Sequence, residues 1–257
     1  MERNEDRDSP RTGDKSGRTV AEPISHTAPP LRGRVAASQR WSSVSFLHWR
    51  IAASAIAPLF PDGVRPDELG GSSWVGLIGF YLDRATLGAS PRIPYLGDFT
   101  EVNVRLYGVD EKGRRGVVFL SLEASRLAAV LAARAVFSIP YFWSRTSMRS
   151  LAGVEEYTAS RMRGRGGTKI VVRPTDKVVD EDELAEFLTA RWGLFTTRRG
   201  KTIFLPNEHE PWPLVSAELI TLEDSLLEQA GISGIASRPP DSVLYSAGVT
   251  SKFGSAR

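Results

Sequence analysis

Polar and apolar side chains alternate over residues 99–107, and this alternation constrains the fold more than any other feature of the chain. The polar positions are Glu101, Asn103, Arg105 and Tyr107, and the apolar positions between them are Val102, Val104 and Leu106. Successive side chains of a strand point to opposite faces, so the pattern predicts a strand with one polar face. That face carries a carboxylate, an amide, a guanidinium and a phenol in one row, which could line a pocket.

Composition limits the classes to which the chain can belong. With 257 residues, 41% of them hydrophobic, it is long enough to bury the core of one large domain. No run reaches the ~20 apolar residues that span a bilayer, and the charged start lacks an apolar signal core. We therefore expect a cytoplasmic protein with no membrane partner. The absence of cysteine excludes disulfides, thiolate nucleophiles and thiolate metal sites.

The two ends of the chain differ from its body. Residues 1–40 mix Ser, Thr, Pro, Gly and both charge signs with almost no large apolar side chains, so they cannot bury enough surface to offset chain entropy. We predict a disordered tail over residues 1–40, a single domain over residues 41–250 and a flexible C-terminus over residues 251–257.

The sequence pI of about 9.3 raises the question of nucleic-acid binding. Of the 33 Lys and Arg residues and the 30 Asp and Glu residues, 25 and 24 follow residue 40, so the body is nearly neutral. Residues 145–173 are locally basic and could hold an anion or a nucleic-acid backbone. Charge runs are more often solvated strand edges, so nucleic acid is the weaker alternative.

Most of the remaining segments have the composition of strands. Strands are predicted over residues 74–81, 116–122, 144–149, 153–163, 168–174, 194–198, 201–205, 212–222 and 243–249. Helices are predicted over residues 123–137, 184–192 and 223–230. Because strands and helices do not alternate, the order favours an α+β fold on an antiparallel sheet or barrel.

Six ordered segments resemble one family. They are Phe46-Leu-His48-Trp49, Trp74-Val-Gly76, residues 99–107, residues 116–122, Ile139-Pro140-Tyr141 and residues 209–214. Together they are similar to the YqjF-like family of uncharacterised bacterial proteins in the acetoacetate decarboxylase-like superfamily. The resemblance implies a closed, cone-like antiparallel barrel with a central cavity and about three helices packed outside. It also suggests a homo-oligomer.

Acetoacetate decarboxylase uses a Schiff-base lysine beside a second lysine, together with a cavity glutamate. The local counterpart of its lysine segment looks like residues 139–142, where Tyr141 and Phe142 replace both lysines. Without a primary amine the electron sink for decarboxylation is missing, so the parent activity is not carried over. Glu101 lies where the superfamily places the cavity carboxylate.

Glu101 and Arg105 are the candidate catalytic residues. A carboxylate can transfer protons, and a guanidinium can hold a substrate carboxylate by two hydrogen bonds. The alternative is an internal ion pair that only fixes the barrel. Asn103 and Tyr107 could bond to a ligand or satisfy this pair.

Each of the further substrate-binding candidates could instead have a purely structural role. His48 could be a general base or a hydrogen-bonded core histidine. Tyr157 and Arg161, four residues apart on a strand, could add a phenol and a cation to the cavity or lie on an exposed face. Tyr141 could form part of the pocket wall or of an aromatic core.

The sequence favours no metal or cofactor. Glu208, His209 and Glu210 are conceivable metal ligands, but adjacent residues do not share a face and the chain has no His-x-x-x-His motif. Lys169 and Lys201 have polar surroundings that predict exposure, which argues against a Schiff base at either position.

The leading hypothesis is a cavity protein that binds a small organic acid or keto compound through Arg105. If it turns the ligand over, we expect lyase-like or isomerase-like proton chemistry without an imine. A non-catalytic binding or sensing module is the alternative, and nucleic-acid binding through residues 145–173 is a weaker one.

Overall fold

The structure is a computed structural model that describes residues 19–92, 97–127 and 138–255. The strands are β1 (Ala37–Ile51), β2 (Val64–Pro66), β3 (Ser73–Leu87), β4 (Phe99–Asp110), β5 (Arg115–Ala124), β6 (Tyr141–Leu151), β7 (Val154–Arg161), β8 (Gly167–Val178), β9 (Gly193–Arg198), β10 (Lys201–Glu208), β11 (Leu214–Asp224) and β12 (Ser242–Phe253). The α-helices in the described residues are α1 (Ala53–Ile56), α2 (Glu183–Thr189) and α3 (Leu226–Gln229).

Among the described residues, strand pairing closes one twelve-stranded sheet into two rings. The larger ring runs β5-β6-β7-β8-β11-β12-β1-β3-β4 and closes where β4 pairs with β5. The smaller ring uses the same five strands β12-β1-β3-β4-β5 but returns through β9 and β10. Described strand pairs are antiparallel except β5–β6 and β5–β9. The predicted α+β architecture with a barrel-like antiparallel sheet is confirmed.

The two faces of β4 lie on opposite sides of the shared wall. Its apolar side chains Val102, Val104 and Leu106 are buried in one core cluster with Leu47 of β1 and Tyr157 of β7. Strand alternation directs the polar row to the other face. The larger ring is therefore filled by an apolar core, and the polar row faces the space enclosed by the smaller ring.

Two irregularities in the shared strands set which side chains face that space. In β1 the register shifts between Ser42 and Ser45, and Ser43 has a left-handed backbone with φ 47°. In β5 Leu120 is extra, because Phe119 pairs with Arg105 while the next paired residue is Ser121. A bulge of this kind shifts the alternation by one residue.

Most predicted elements are found, but β1 and β2 were not predicted and two predicted helices begin too early. The helix predicted over residues 223–230 begins at Leu226, because Glu223 and Asp224 belong to β11. The strands predicted between residues 144 and 222 correspond to β6 through β11, including the β6–β7–β8 meander. The helix predicted from Glu123 is wrong at its start, because Glu123 and Ala124 belong to β5 and pair with β6. Its residues 128–137 lie outside the described residues.

The segment before the barrel contacts the body without regular secondary structure. The Glu22 amide donates to the Gly113 carbonyl oxygen at 2.8 Å, and the Trp192 indole donates to the Ser25 carbonyl oxygen at 2.9 Å. β1 begins at Ala37, four residues before the predicted domain boundary, and β12 extends to Phe253. Residues 1–18 lie outside the described residues, so the disordered tail stays a prediction.

In the described part of the chain, no helix has the length and apolar character needed to cross a membrane.

The hydroxyl of Tyr157 ties the larger ring to the β1 bulge. It donates to the Ser43 carbonyl oxygen at 2.6 Å and accepts from Ser45 Oγ at 3.1 Å. Tyr157→Phe leaves both groups without this partner, so the free energy of unfolding should fall by about 1–3 kcal/mol in urea denaturation. Tyr81→Phe is the control, because it removes a phenol hydroxyl at a half-buried position of β3 that is not bonded to Ser43 or Ser45. Equal losses in the two variants would contradict the anchoring role.

Candidate functional site

The smaller ring surrounds a pocket of about 450 Å³. Its lining is mainly aliphatic and aromatic, with residues from β1, β3, β4, β5, β9, β10 and β12. Besides Ser38, Gln39 and Thr86, the polar side chains of its described lining are Glu101, Asn103, Arg105, Tyr141, Thr189, Arg191, Asn207 and His209. An apolar pocket with a few convergent polar groups is typical of small-molecule sites.

Glu101 is buried, with 2% of its surface exposed, and bonds only to uncharged donors. The Tyr141 hydroxyl donates to its Oε2 at 2.7 Å, and Asn103 Nδ2 donates to its Oε1 at 3.2 Å. Burial raises the pKa of Glu101 to about 7, the charge of Glu123 adds to the rise, and the two hydrogen bonds oppose it. The carboxyl is therefore poised to exchange a proton near neutral pH.

Arg105 is held in place without a carboxylate partner among the described residues. Its Nε donates to the Tyr107 hydroxyl oxygen at 3.0 Å, and its Nη2 donates to the Leu188 carbonyl oxygen at 3.3 Å. The guanidinium carbon lies 5.5 Å from the centre of the Phe46 ring. The alternative of a Glu101–Arg105 ion pair is therefore not realised.

His48 and Tyr107 lie behind the pocket lining. His48 Nε2 lies 2.6 Å from the Tyr107 hydroxyl oxygen, which also accepts from Arg105. Burial, followed by the charges of Arg105 and Arg191, lowers the pKa of His48 well below its ordinary value. A neutral His48 therefore supports Tyr107, and Tyr107 orients Arg105. Neither His48 nor Tyr107 is among the described residues that line the pocket, so the structure gives no support to their predicted contact with a ligand.

Arg191 is a second cation that lines the pocket, and it was not among the candidates predicted from the sequence. It follows α2, is 5% exposed, and its Nη1 lies 2.6 Å from Asp67 Oδ2. Its Nε donates to the Phe187 carbonyl oxygen at 2.6 Å. Burial lowers the pKa of Arg191, and Asp67 opposes that effect. The signal was an arginine within the apolar stretch 187–195, which was predicted only as part of a helix over residues 184–192.

Two predicted cavity residues lie elsewhere. Tyr157 belongs to the core of the larger ring, where its ring lies over Gly79. Arg161 Nη2 lies 2.8 Å from Glu123 Oε1, and its guanidinium carbon is 3.7 Å from the centre of the Phe142 ring. Neither lines the pocket. Tyr141, in contrast, lines it and bonds Glu101.

The expectations about metals and lysines can be compared with the described residues. His209 Nδ1 lies 2.6 Å from the Glu210 carbonyl oxygen, and burial lowers the pKa of His209 to about 4. Within the described ranges, no group of three or more His, Asp or Glu side chains could hold a metal ion. Lys201 is exposed, Lys169 Nζ lies 3.3 Å from Glu156 Oε2, and no described lysine lines the pocket.

The basic stretch does not form one uninterrupted positive surface. Arg161 is buried against Glu123, Lys169 lies beside Glu156, and Arg173 Nη1 lies 3.6 Å from Glu218 Oε2. These carboxylates offset part of the charge, whereas Arg145, Arg149, Arg163 and Arg165 are exposed, so nucleic-acid binding by this stretch stays a prediction.

Comparison with known proteins identifies relatives in sequence. The model of DUF2071, a family of uncharacterised conserved proteins, matches residues 38–250. The uncharacterised protein YqjF of Bacillus subtilis (strain 168) is 31% identical over 198 residues, which are 76% of this chain and 81% of that protein.

Solved structures with the same fold are more distant in sequence. An acetoacetate decarboxylase-like enzyme from Sphingomonas wittichii RW1 has a TM-score of 0.63 at 12% identity, covering 87% of this chain and 92% of that one. Acetoacetate decarboxylase from Legionella pneumophila has a TM-score of 0.61 at 13% identity, covering 90% of both chains. The enduracididine biosynthesis enzyme MppR complexed with pyruvate has a TM-score of 0.58 at 14% identity, also covering 90% of both. At these identities the likeness shows the fold alone.

The raised pKa of Glu101 predicts a specific pH dependence of stability. Between the ordinary value of 4.5 and about 7, the folded protein keeps a proton that the unfolded chain releases, so stability is lost as pH rises. Over this window the unfolding free energy of the wild type should fall by up to about 3 kcal/mol relative to Glu101→Gln. Denaturant titrations at several pH values measure the difference. Glu218→Gln, at a position 64% exposed, is the control and should keep the wild-type profile.

Proposed function

The chain belongs to the DUF2071 family, and we propose that its pocket binds a small organic acid or keto compound whose carboxylate is held by Arg105. The observation that carries this proposal is a pocket guanidinium with no carboxylate partner among the described residues. A cation enclosed in a mainly apolar space favours an anion there, because burial without a partner costs free energy. Arginine also matches the planar, two-oxygen geometry of a carboxylate.

The packing around Arg105 supports its role as the anchor. Tyr107 and the Leu188 carbonyl oxygen fix two of its nitrogens, and the Phe46 ring lies beside the guanidinium. These contacts leave Nη1 without a partner in the described ranges. Arg191 adds positive charge to the same pocket, although Asp67, which also pairs with Arg115, offsets part of it.

Glu101 supplies the proton-transfer group of the proposed site. With a pKa of about 7 it is partly ionised at neutral pH, a condition that suits general acid–base catalysis. The carboxylate would take a proton from a carbon beside a carbonyl group of the ligand, at a position remote from the carboxylate held by Arg105, and leave an enolate. It would then return the proton to the same carbon. This isomerase-like proton chemistry requires no lysine.

The ligand class has support from a structural neighbour. MppR has been solved in complex with pyruvate, a keto acid, on the same fold. We take from this that the fold accommodates an oxo acid, and we assign the anchoring residue from the contacts of this chain.

A second candidate function is a binding or sensing module without turnover. Burial raises the pKa of Tyr141 well above its ordinary value and lowers the pKa of His209 to about 4. Among the described pocket residues, Glu101 is then the one group whose pKa is shifted to near neutrality. A single proton-transfer group in a mainly apolar pocket is also compatible with retention of an unchanged ligand.

Removing the Arg105 charge tests the binding proposal. Small carboxylic and 2-oxo acids should raise the melting temperature of the wild type, and Arg105→Ala should weaken the best ligand roughly tenfold to hundredfold. Arg149→Ala, at an exposed position on β6, is the matched control and should respond as the wild type does. Ligand stabilisation that survives in Arg105→Ala would remove Arg105 from this role.

Proton exchange distinguishes the two functions. For an oxo acid that binds, ¹H NMR in D₂O should show faster loss of the C–H signals beside the carbonyl with the wild type. Glu101→Gln should slow this exchange about a hundredfold or more while the ligand still binds. A ligand that binds but is recovered without exchange would support the binding module instead.

A further inference from the structure

We propose that the ligand of this pocket is an elongated carboxylate with an apolar tail, with its carboxylate at Arg105 and its tail directed toward Leu87. The inference rests on the proposed function, since it takes Arg105 as the anchor. To the proposed function it adds the length and polarity of the ligand and the orientation in which the ligand binds.

The pocket follows β4 over a considerable length. Strand pairing places Arg105 opposite Gly76, Glu101 opposite Phe80, and Phe99 opposite Leu82. Arg105, Glu101 and Phe99 all line the pocket. With a rise of about 3.4 Å per residue, the lined part of β4 from Arg105 to Phe99 spans about 20 Å. A three-carbon acid would occupy only one part of this length.

The charged groups lie toward one end of this length. The Arg105 side chain bonds Tyr107, the next position of the row away from Glu101. Arg191 lies at the same end, since its guanidinium carbon is 5.0 Å from the centre of the Tyr107 ring. The Cα atoms of Arg105 and Glu101 are separated by about 14 Å along the strand. A carboxylate at Arg105 is therefore well removed from the Glu101 carboxyl.

Beyond Glu101 the pocket carries no charged lining residue among the described ones. Its lining there is apolar at Ala37, Ala85 and Leu87 and polar but uncharged at Ser38, Gln39 and Thr86. Leu87 is 57% exposed, so this end of the pocket reaches the protein surface. The charged end is thus interior, and the uncharged end, which carries most of its contact surface on aliphatic and aromatic side chains, is near solvent. An amphipathic acid matches this arrangement when it enters head first.

The size and polarity of the pocket indicate how affinity should depend on chain length. A volume of about 450 Å³ lies within the range of sites for drug-sized ligands. Each additional methylene that leaves water for an apolar wall should tighten binding roughly fourfold. Short acids gain little from this wall, so they should bind weakly.

The test measures dissociation constants by calorimetry for butyrate, hexanoate, octanoate and decanoate, each below its micelle concentration, together with pyruvate. The wild type should bind each longer acid more tightly, and Arg105→Ala should weaken every acid at least tenfold. Octanol and octylamine, which have a tail but no carboxylate, should bind at least tenfold more weakly than octanoate.

Ala85→Phe fills the uncharged end of the pocket, so the ratio of decanoate to butyrate affinity should fall at least tenfold. Ala37→Phe serves the same purpose if Ala85→Phe does not fold.

The outcomes separate this inference from the proposed function. Tight pyruvate binding that is lost in Arg105→Ala, with no gain along the series, would overturn the elongated ligand and leave the proposed function in place. Affinity that rises with chain length but is unchanged in Arg105→Ala would overturn both the proposed orientation and the role of Arg105 as anchor in the proposed function. No binding of any acid by the wild type would overturn both.

Discussion

The pairing of β4 with β5 closes both rings of the sheet, and the rest of the structure depends on this closure. An open edge at β4 would leave backbone N–H and C=O groups unpaired and expose the polar row to water. Closure instead encloses both faces of the strand. Val102 and Val104 pack in the core of the larger ring, while Glu101 and Arg105 line the pocket of the smaller ring. Each enclosed polar group must then find its partner inside the protein.

The enclosed ionisable groups meet this requirement in different ways. Glu101 receives hydrogen bonds from neutral donors, and burial raises its pKa to about 7. Arg191 has the counter-charge of Asp67. Arg105 has a phenol oxygen, a carbonyl oxygen and aromatic rings, but no carboxylate within the described residues. The pocket therefore combines a carboxyl that can exchange a proton with a cation that lacks a counter-charge, and the proposed function rests on this combination.

Sequence periodicity predicted which residues share a face, and it was less informative about what that face contacts. The row on β4 was predicted correctly, because a period of two is independent of the rest of the fold. Tyr157 and Arg161 were assigned to the pocket, but Tyr157 is in the core of the larger ring and Arg161 pairs with Glu123. The helix predicted from Glu123 began too early because β6 extends β5 through residue 124 by long-range pairing.

The sequence by itself determined the strand-rich α+β fold, the family resemblance and the pocket roles of Glu101 and Arg105 as candidates, because side-chain alternation and local motifs are properties of short segments. Only the tertiary structure decided that these two residues do not pair, and that Arg191 joins them from a connection more than 80 residues away. It also placed His48 and Tyr107 behind Arg105. The reason is physical: ring closure sets the distances between strands that are remote in sequence, and those distances determine which buried charges find partners.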